Sequence, residues 1–92
     1  MRITFDPAKR QATLEDRGLD FADAAEVFGG VTVDFEDVRF PYSEPRFVCV
    51  GHLAGRMVIV VWTPAEDGRR VISMRKANER EQARYAASLG SG

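Results

Sequence analysis

Cysteine and histidine are nearly absent from this chain: Cys49 and His52 are the only ones in 92 residues. One cysteine makes no intramolecular disulfide, and no Cys/His cluster exists to hold zinc. Cys49, between Val48 and Val50, reads as a small buried hydrophobe. His52 reads as an ordinary strand-end residue. Long apolar runs are missing too. Met57–Trp62 falls far short of the roughly 20 residues that span a bilayer. The segment Met1–Pro7 lacks the apolar stretch of a secretion signal. Repeats and linkers are likewise absent. These absences point to a cytoplasmic protein with no membrane segment, no metal and no cofactor.

What is present suits one small core. The hydrophobic content is 45%, enough for a single domain over residues 1–92 and too little for two cores. The net charge is only −1, but it is unevenly spread. Residues 1–45 carry five basic and ten acidic side chains, and residues 46–92 carry eight basic and four acidic. The second half therefore suits a polyanion or an acidic partner, or merely forms a solvated basic face.

Local signals predict the elements. Arg2–Phe5 reads as a strand, and Asp6 caps a helix whose first position is Pro7 and whose end is Gly18. Asp20 caps a second helix carrying Phe21, Ala24, Ala25, Val27 and Phe28, stopped by Gly29-Gly30. Val31–Phe35 alternates as a half-buried strand, and residues 36–45 form a loop. Phe47–Val50 and Met57–Trp62 are strands joined by a tight turn at Ala54-Gly55, the second of them central and covered on both faces. A further hairpin loop, Pro64–Gly68, leads to a last strand, Val71–Met74. Asn78 and Glu81 make a capping box for a helix from Glu79 to about Leu89, and Ser88–Gly92 should fray. The fold class is α+β, an antiparallel sheet with helices packed on it, in the order β-α-α-β-β-β-β-α.

Arg70-Val71-Ile72-Ser73-Met74-Arg75-Lys76-Ala77-Asn78, with Glu81, Arg84 and Tyr85 beyond, gathers positive charge where a strand runs into a helix. The chain resembles the BrnT toxins of bacterial type II toxin–antitoxin pairs. The resemblance lies in Phe5-Asp6-Pro7-Ala8-Lys9, Gly18-Leu19-Asp20-Phe21, Val27-Phe28, Arg46-Phe47-Val48, Gly51 and Val60-Val61-Trp62-Thr63. It continues through Arg70–Ala77 to Glu81 and Tyr85. It implies a RelE-like fold, a ribonuclease that inhibits translation, and a cognate ribbon-helix-helix antitoxin of the BrnA kind, bridging a higher assembly. Two positions depart from the family pattern: Arg17 stands where a histidine is common, and Thr13 where an asparagine is.

Cutting RNA without a metal requires cations for the charge growing on phosphate, a base for the 2′-hydroxyl and an acid for the leaving oxygen. Arg75, at the strand's end beside a helix N-terminus, is the first candidate for a phosphate clamp, followed by Lys76 and Arg70. The alternative for Arg75 is a pairing with a carboxylate of the acidic N-terminal half. Strict alternation puts Arg75, Ser73 and Val71 on one face and Arg70, Ile72 and Met74 on the other. Glu81 reads as a cap first and a base second. Tyr85, four residues on, is a candidate acid or a packed ring. Lys9 is a candidate base through its place in the family pattern. Arg80 and Arg84 would touch the RNA backbone, and Trp62 would stack on a base or close the core. A non-catalytic module that binds antitoxin or RNA is the second reading, in keeping with a pI near 5.8.

Overall fold

The computed structural model describes residues 1–90. Strand β1 (Arg2–Thr4) leads into helix α1 (Pro7–Arg17). Asp6 accepts the Ala8 N–H at 2.9 Å, and Gly18 ends the helix in the left-handed region (φ 69°). No residue of α1 is fully buried. Polar ties hold the helix instead. Arg10 forks onto Asp20 at 2.7 and 2.8 Å, and Arg17 Nη1 donates to the Met74 carbonyl at 3.0 Å. The expected second helix divides into a 3-10 turn (Phe21–Asp23) and helix α2 (Ala24–Phe28). Its buried residues Phe21, Ala24 and Val27 keep one face on the sheet across both pieces.

Strands β2 (Val33–Glu36), β3 (Phe47–Leu53), β4 (Arg56–Ala65) and β5 (Gly68–Lys76) form an antiparallel meander. β1 adds to the free edge of β5 in parallel, so the sheet is mixed, in the order β1-β5-β4-β3-β2. This modifies the antiparallel expectation at one strand. Gly68 makes the addition possible, because any Cβ there would collide with the Arg2 carbonyl. Several strands outrun their apolar stretches. Pro64, expected in a loop, lies in β4. The β3 ladder ends at Phe47↔Trp62, so the proline has no β3 partner and pairs only with Arg69 of β5. β2 starts two residues later than expected. The Thr32 methyl and Val27 press on Gly51 instead of joining the ladder. Ala54 (φ 51°) and Gly55 (φ 77°) both take positive φ, as the two-residue hairpin requires.

One irregularity controls which side chains meet. Val61 pairs with Ser73 but Trp62 pairs with Val71, so Ile72 is the extra residue of a bulge. Directly opposed residues share a face. Val71 therefore joins Met74, and Arg70 joins Ser73 and Arg75, contrary to strict alternation.

The sheet separates two apolar layers, and β4 is central as expected. On one face Leu19, Phe21, Ala24 and Val27 pack on Cys49, Val58, Val60, Val71 and Met74. On the other, helix α3 (Glu79–Leu89) packs Leu89 and Tyr85 over Val48, Val50, Met57 and Ile59. The helix end does not fray at Ser88, because Leu89 is buried and anchors the last turn. Ser91 and Gly92 lie outside the described residues. No helix among the described residues is long and apolar enough to cross a membrane.

Candidate active cleft

α3 covers only part of its face. Beside it lies a cleft of about 400 Å³ with an apolar floor of Val48, Val50, Ile59 and Val61. Ser73 and Arg75 of β5, Glu81 and Tyr85 of α3, and Phe35, Asp37, Val38 and Arg39 form its walls. Three sequence-predicted site residues, Arg75, Glu81 and Tyr85, thus line one cavity.

Arg75 opposes Ile59 on β4, so it leaves the sheet toward α3. Its Nη1 and Nη2 each donate to the Glu81 carboxylate at 2.7 Å. The capping box is also complete: the Asn78 N–H donates to Glu81 Oε1 at 2.9 Å, and the Glu81 N–H to Asn78 Oδ1 at 2.8 Å. The Arg75 hydrogen bonds outweigh partial burial and hold the Glu81 carboxyl down to about 2. A carboxylate so acidic, with both oxygens engaged, is a weak base at neutral pH. In the structure it caps the helix and pairs with Arg75. The carboxylate that Arg75 meets comes from its own following helix, not from the acidic N-terminal half.

Tyr85 lies nearly parallel to Phe35, with ring centroids 6.4 Å apart at 18°. The Arg84 guanidinium sits 5.5 Å from the Tyr85 centroid. Across the cleft stands a second fork. Asp37, only 4% exposed in its side chain, accepts from Arg39 Nε and Nη2 at 2.9 Å each. It also accepts the Arg39 N–H at 3.2 Å and the Tyr42 hydroxyl at 3.1 Å. The Arg39 hydrogen bonds hold its carboxyl far below the usual carboxylate range despite desolvation. Sequence reasoning assigned residues 36–45 only to a loop. The signal available was an acid and an arginine two apart, followed by a tyrosine.

The other predicted residues lie elsewhere. Arg70 shares the α3 face of β5 but sits five residues back from Arg75, paired with Thr63. Lys76 opposes Val58 and points to the other face, toward Gly18 and Leu19. Lys9 is exposed on α1, which packs on the 3-10 turn in the layer opposite α3. Trp62 is also on that opposite face. Phe47 stacks on it at 4.9 Å, and the Arg69 guanidinium lies 3.9 Å from its centroid. Arg80 is exposed in the first turn of α3. Arg17, at the position where the resemblance implies histidine, is tied to the Met74 carbonyl. Among the described residues, no three His, Cys, Asp or Glu side chains gather as a metal site would need.

Arginine, tyrosine and serine in one open cleft can bind an anion and deliver a proton to it. None of the curated proteins matches the chain. Residues 5–81 match the family model described as "Ribonuclease toxin, BrnT, of type II toxin-antitoxin system", and the chain belongs to that family.

Proposed function

We propose that this chain cuts RNA in the α3-face cleft as an endoribonuclease without a metal cofactor, and that it inhibits translation in the cytoplasm. The observation that carries the location is the convergence of Arg75 and Tyr85 in one cleft. The substrate's 2′-hydroxyl attacks phosphorus and loses its proton to water, while the bond to the 5′ oxygen breaks. Arg75 stabilises the charge gathering on the phosphoryl oxygens, and Tyr85 protonates the leaving oxygen. Glu81 keeps the Arg75 guanidinium in one plane. Arg80 and Arg84 supply exposed charge for the RNA backbone. Lys76, Arg70, Lys9 and Trp62 act outside this chemical step, because they lie away from the cleft.

A cognate antitoxin with a ribbon-helix-helix region completes the reading. It covers residues 70–85, neutralises the toxin and bridges copies into a larger assembly within a RelE-like family. The test is to induce the chain alone in a bacterium and measure growth and RNA integrity. Growth arrest with cleaved RNA, reversed by a co-expressed cognate antitoxin, is the expected result. Purified chain should cut RNA in a chelator. The engagement of Arg75 by Glu81 favours a second reading, a non-catalytic binding module. Normal growth at verified high expression of folded chain would decide for that module.

A further inference from the structure

We propose that Arg39 is a second phosphate-binding residue of the cleft, that one phosphate of single-stranded RNA sits between Arg39 and Arg75, and that Asp37 positions Arg39. This rests on the RNA-cutting reading above and adds a residue and a substrate conformation to it. Both arginines line the same cleft, one from the loop after β2 and one from β5. Each is forked on its own carboxylate, yet each keeps donors free. Arg39 Nη1 and Arg75 Nε have no protein acceptor among the described residues. The Glu81 hydrogen bonds strengthen the hold of Arg75 on its proton overall, and the positive charge of Arg39, on the lining of the same cleft, opposes this weakly. Like charges facing each other across a cavity are relieved by an anion between them.

Loop order supports the assignment. The Arg39 side chain is 75% exposed, and such a side chain ordinarily samples many rotamers. Here one buried carboxylate takes four hydrogen bonds, three from Arg39 and one from Tyr42. That arrangement fixes the guanidinium before any ligand arrives, so less freedom is lost on binding. The neighbouring wall is aromatic: Phe35 is 43% exposed and lies along Tyr85. A base flanking the bound phosphate can reach that wall only if it is unpaired.

The test uses a fluorescein-labelled single-stranded 2′-O-methyl oligouridine, which binds but cannot be cut through its 2′ oxygen. Anisotropy titrations over a range of salt give affinity and salt slope, and thermal melts verify that each variant folds. Arg39→Ala should bind about tenfold more weakly, the size of one charge-assisted contact. Its log–log salt slope should be shallower by about 0.7, one phosphate contact on a single strand. Arg39→Lys keeps the charge and the slope but recovers only part of the affinity. Arg56→Ala removes the same charge on the opposite sheet face, where Arg56 opposes Leu53 outside the cleft lining, and should leave both quantities unchanged. If the parent binds and Arg39→Ala matches it in affinity and slope, Arg39 is not a phosphate ligand, and the RNA-cutting reading survives. A parent that neither binds this probe nor cuts RNA overturns both. A duplex of equal length bound as tightly as the single strand overturns the single-strand assignment.

Discussion

The two faces of the sheet are closed by different means. The face under α1 and α2 is finished with apolar side chains, and the half-buried Trp62 at its margin is held between Phe47 and Arg69. The face under α3 is finished only in part. Where the helix stops covering the sheet, two arginines forked on carboxylates take over from hydrocarbon. Packing completes a surface and makes it inert. Paired charge also completes a surface, but an incoming anion can compete for it. On the proposed reading, the functional face is the one the core leaves unfinished.

Variants can break this contrast. The largest effect should come from Arg75→Ala, which should slow RNA cleavage by about 10²–10³ while weakening binding far less, as when one donor to a developing anion is lost. Arg75→Lys should not restore the full rate, since one ammonium cannot reproduce a planar fork. Single-turnover cleavage and anisotropy binding separate the two quantities. A parental rate in folded Arg75→Ala would make Arg75 structural. On the closed face, Met74→Ala should behave oppositely. Met74 is fully buried, so its truncation should cost about 2–5 kcal/mol of stability, read in a denaturant melt. Cleavage per folded molecule should be nearly unchanged.

Acid should act through the charged face. The Glu81 carboxyl is lowered from 4.5 to about 2, so its pairing stabilises the fold above the ordinary value and is lost as pH falls toward 2. The Arg75 side chain is 45% exposed, so solvent screening leaves about 1 kcal/mol at most. Glu81→Gln should lose about that much at pH 7 and show a flatter acid limb between pH 4.5 and 2. Asp20, also lowered to about 2 by Arg10, titrates in the same window and remains in that variant. The limb should therefore flatten rather than vanish. The smallest effect concerns the β3–β4 turn, which does not line the cleft. Ala54 holds φ 51°, so Ala54→Asn should raise stability by about 0.5–1 kcal/mol without altering cleavage.

Much of the fold was legible because its signals are local. The Asp6–Pro7 start and Gly18 stop of α1, the Ala54-Gly55 turn and the Asn78–Glu81 capping box each depend on a few consecutive residues. The β5 bulge was not legible. It satisfies Val71 and Met74 together in a core built by α2 and β4, which no window around Ile72 contains. The parallel docking of β1 was hidden for the same reason. Arg75, Glu81 and Tyr85, expected together, do line one cleft, because strand end, cap and helix face are close in sequence. The cleft-lining Arg39 and Asp37 were not singled out, because a loop has no period to mark which of its charges turn inward. Lys76 and Trp62 were grouped with Arg75 by nearness in sequence or by type, and pairing sent them to the other face.

The pairing of Arg2 with Gly68 also sets a schedule for synthesis. A chain emerging from the ribosome carries β1 first, but that strand has nowhere to dock until β5 follows it out. Contacts so distant along the chain are late to form. β5 also brings Arg75, and Glu81 and Tyr85 come after it. A growing chain therefore holds neither a closed sheet nor a furnished cleft. The cleft proposed to act on RNA is assembled only once α3 has followed β5 out.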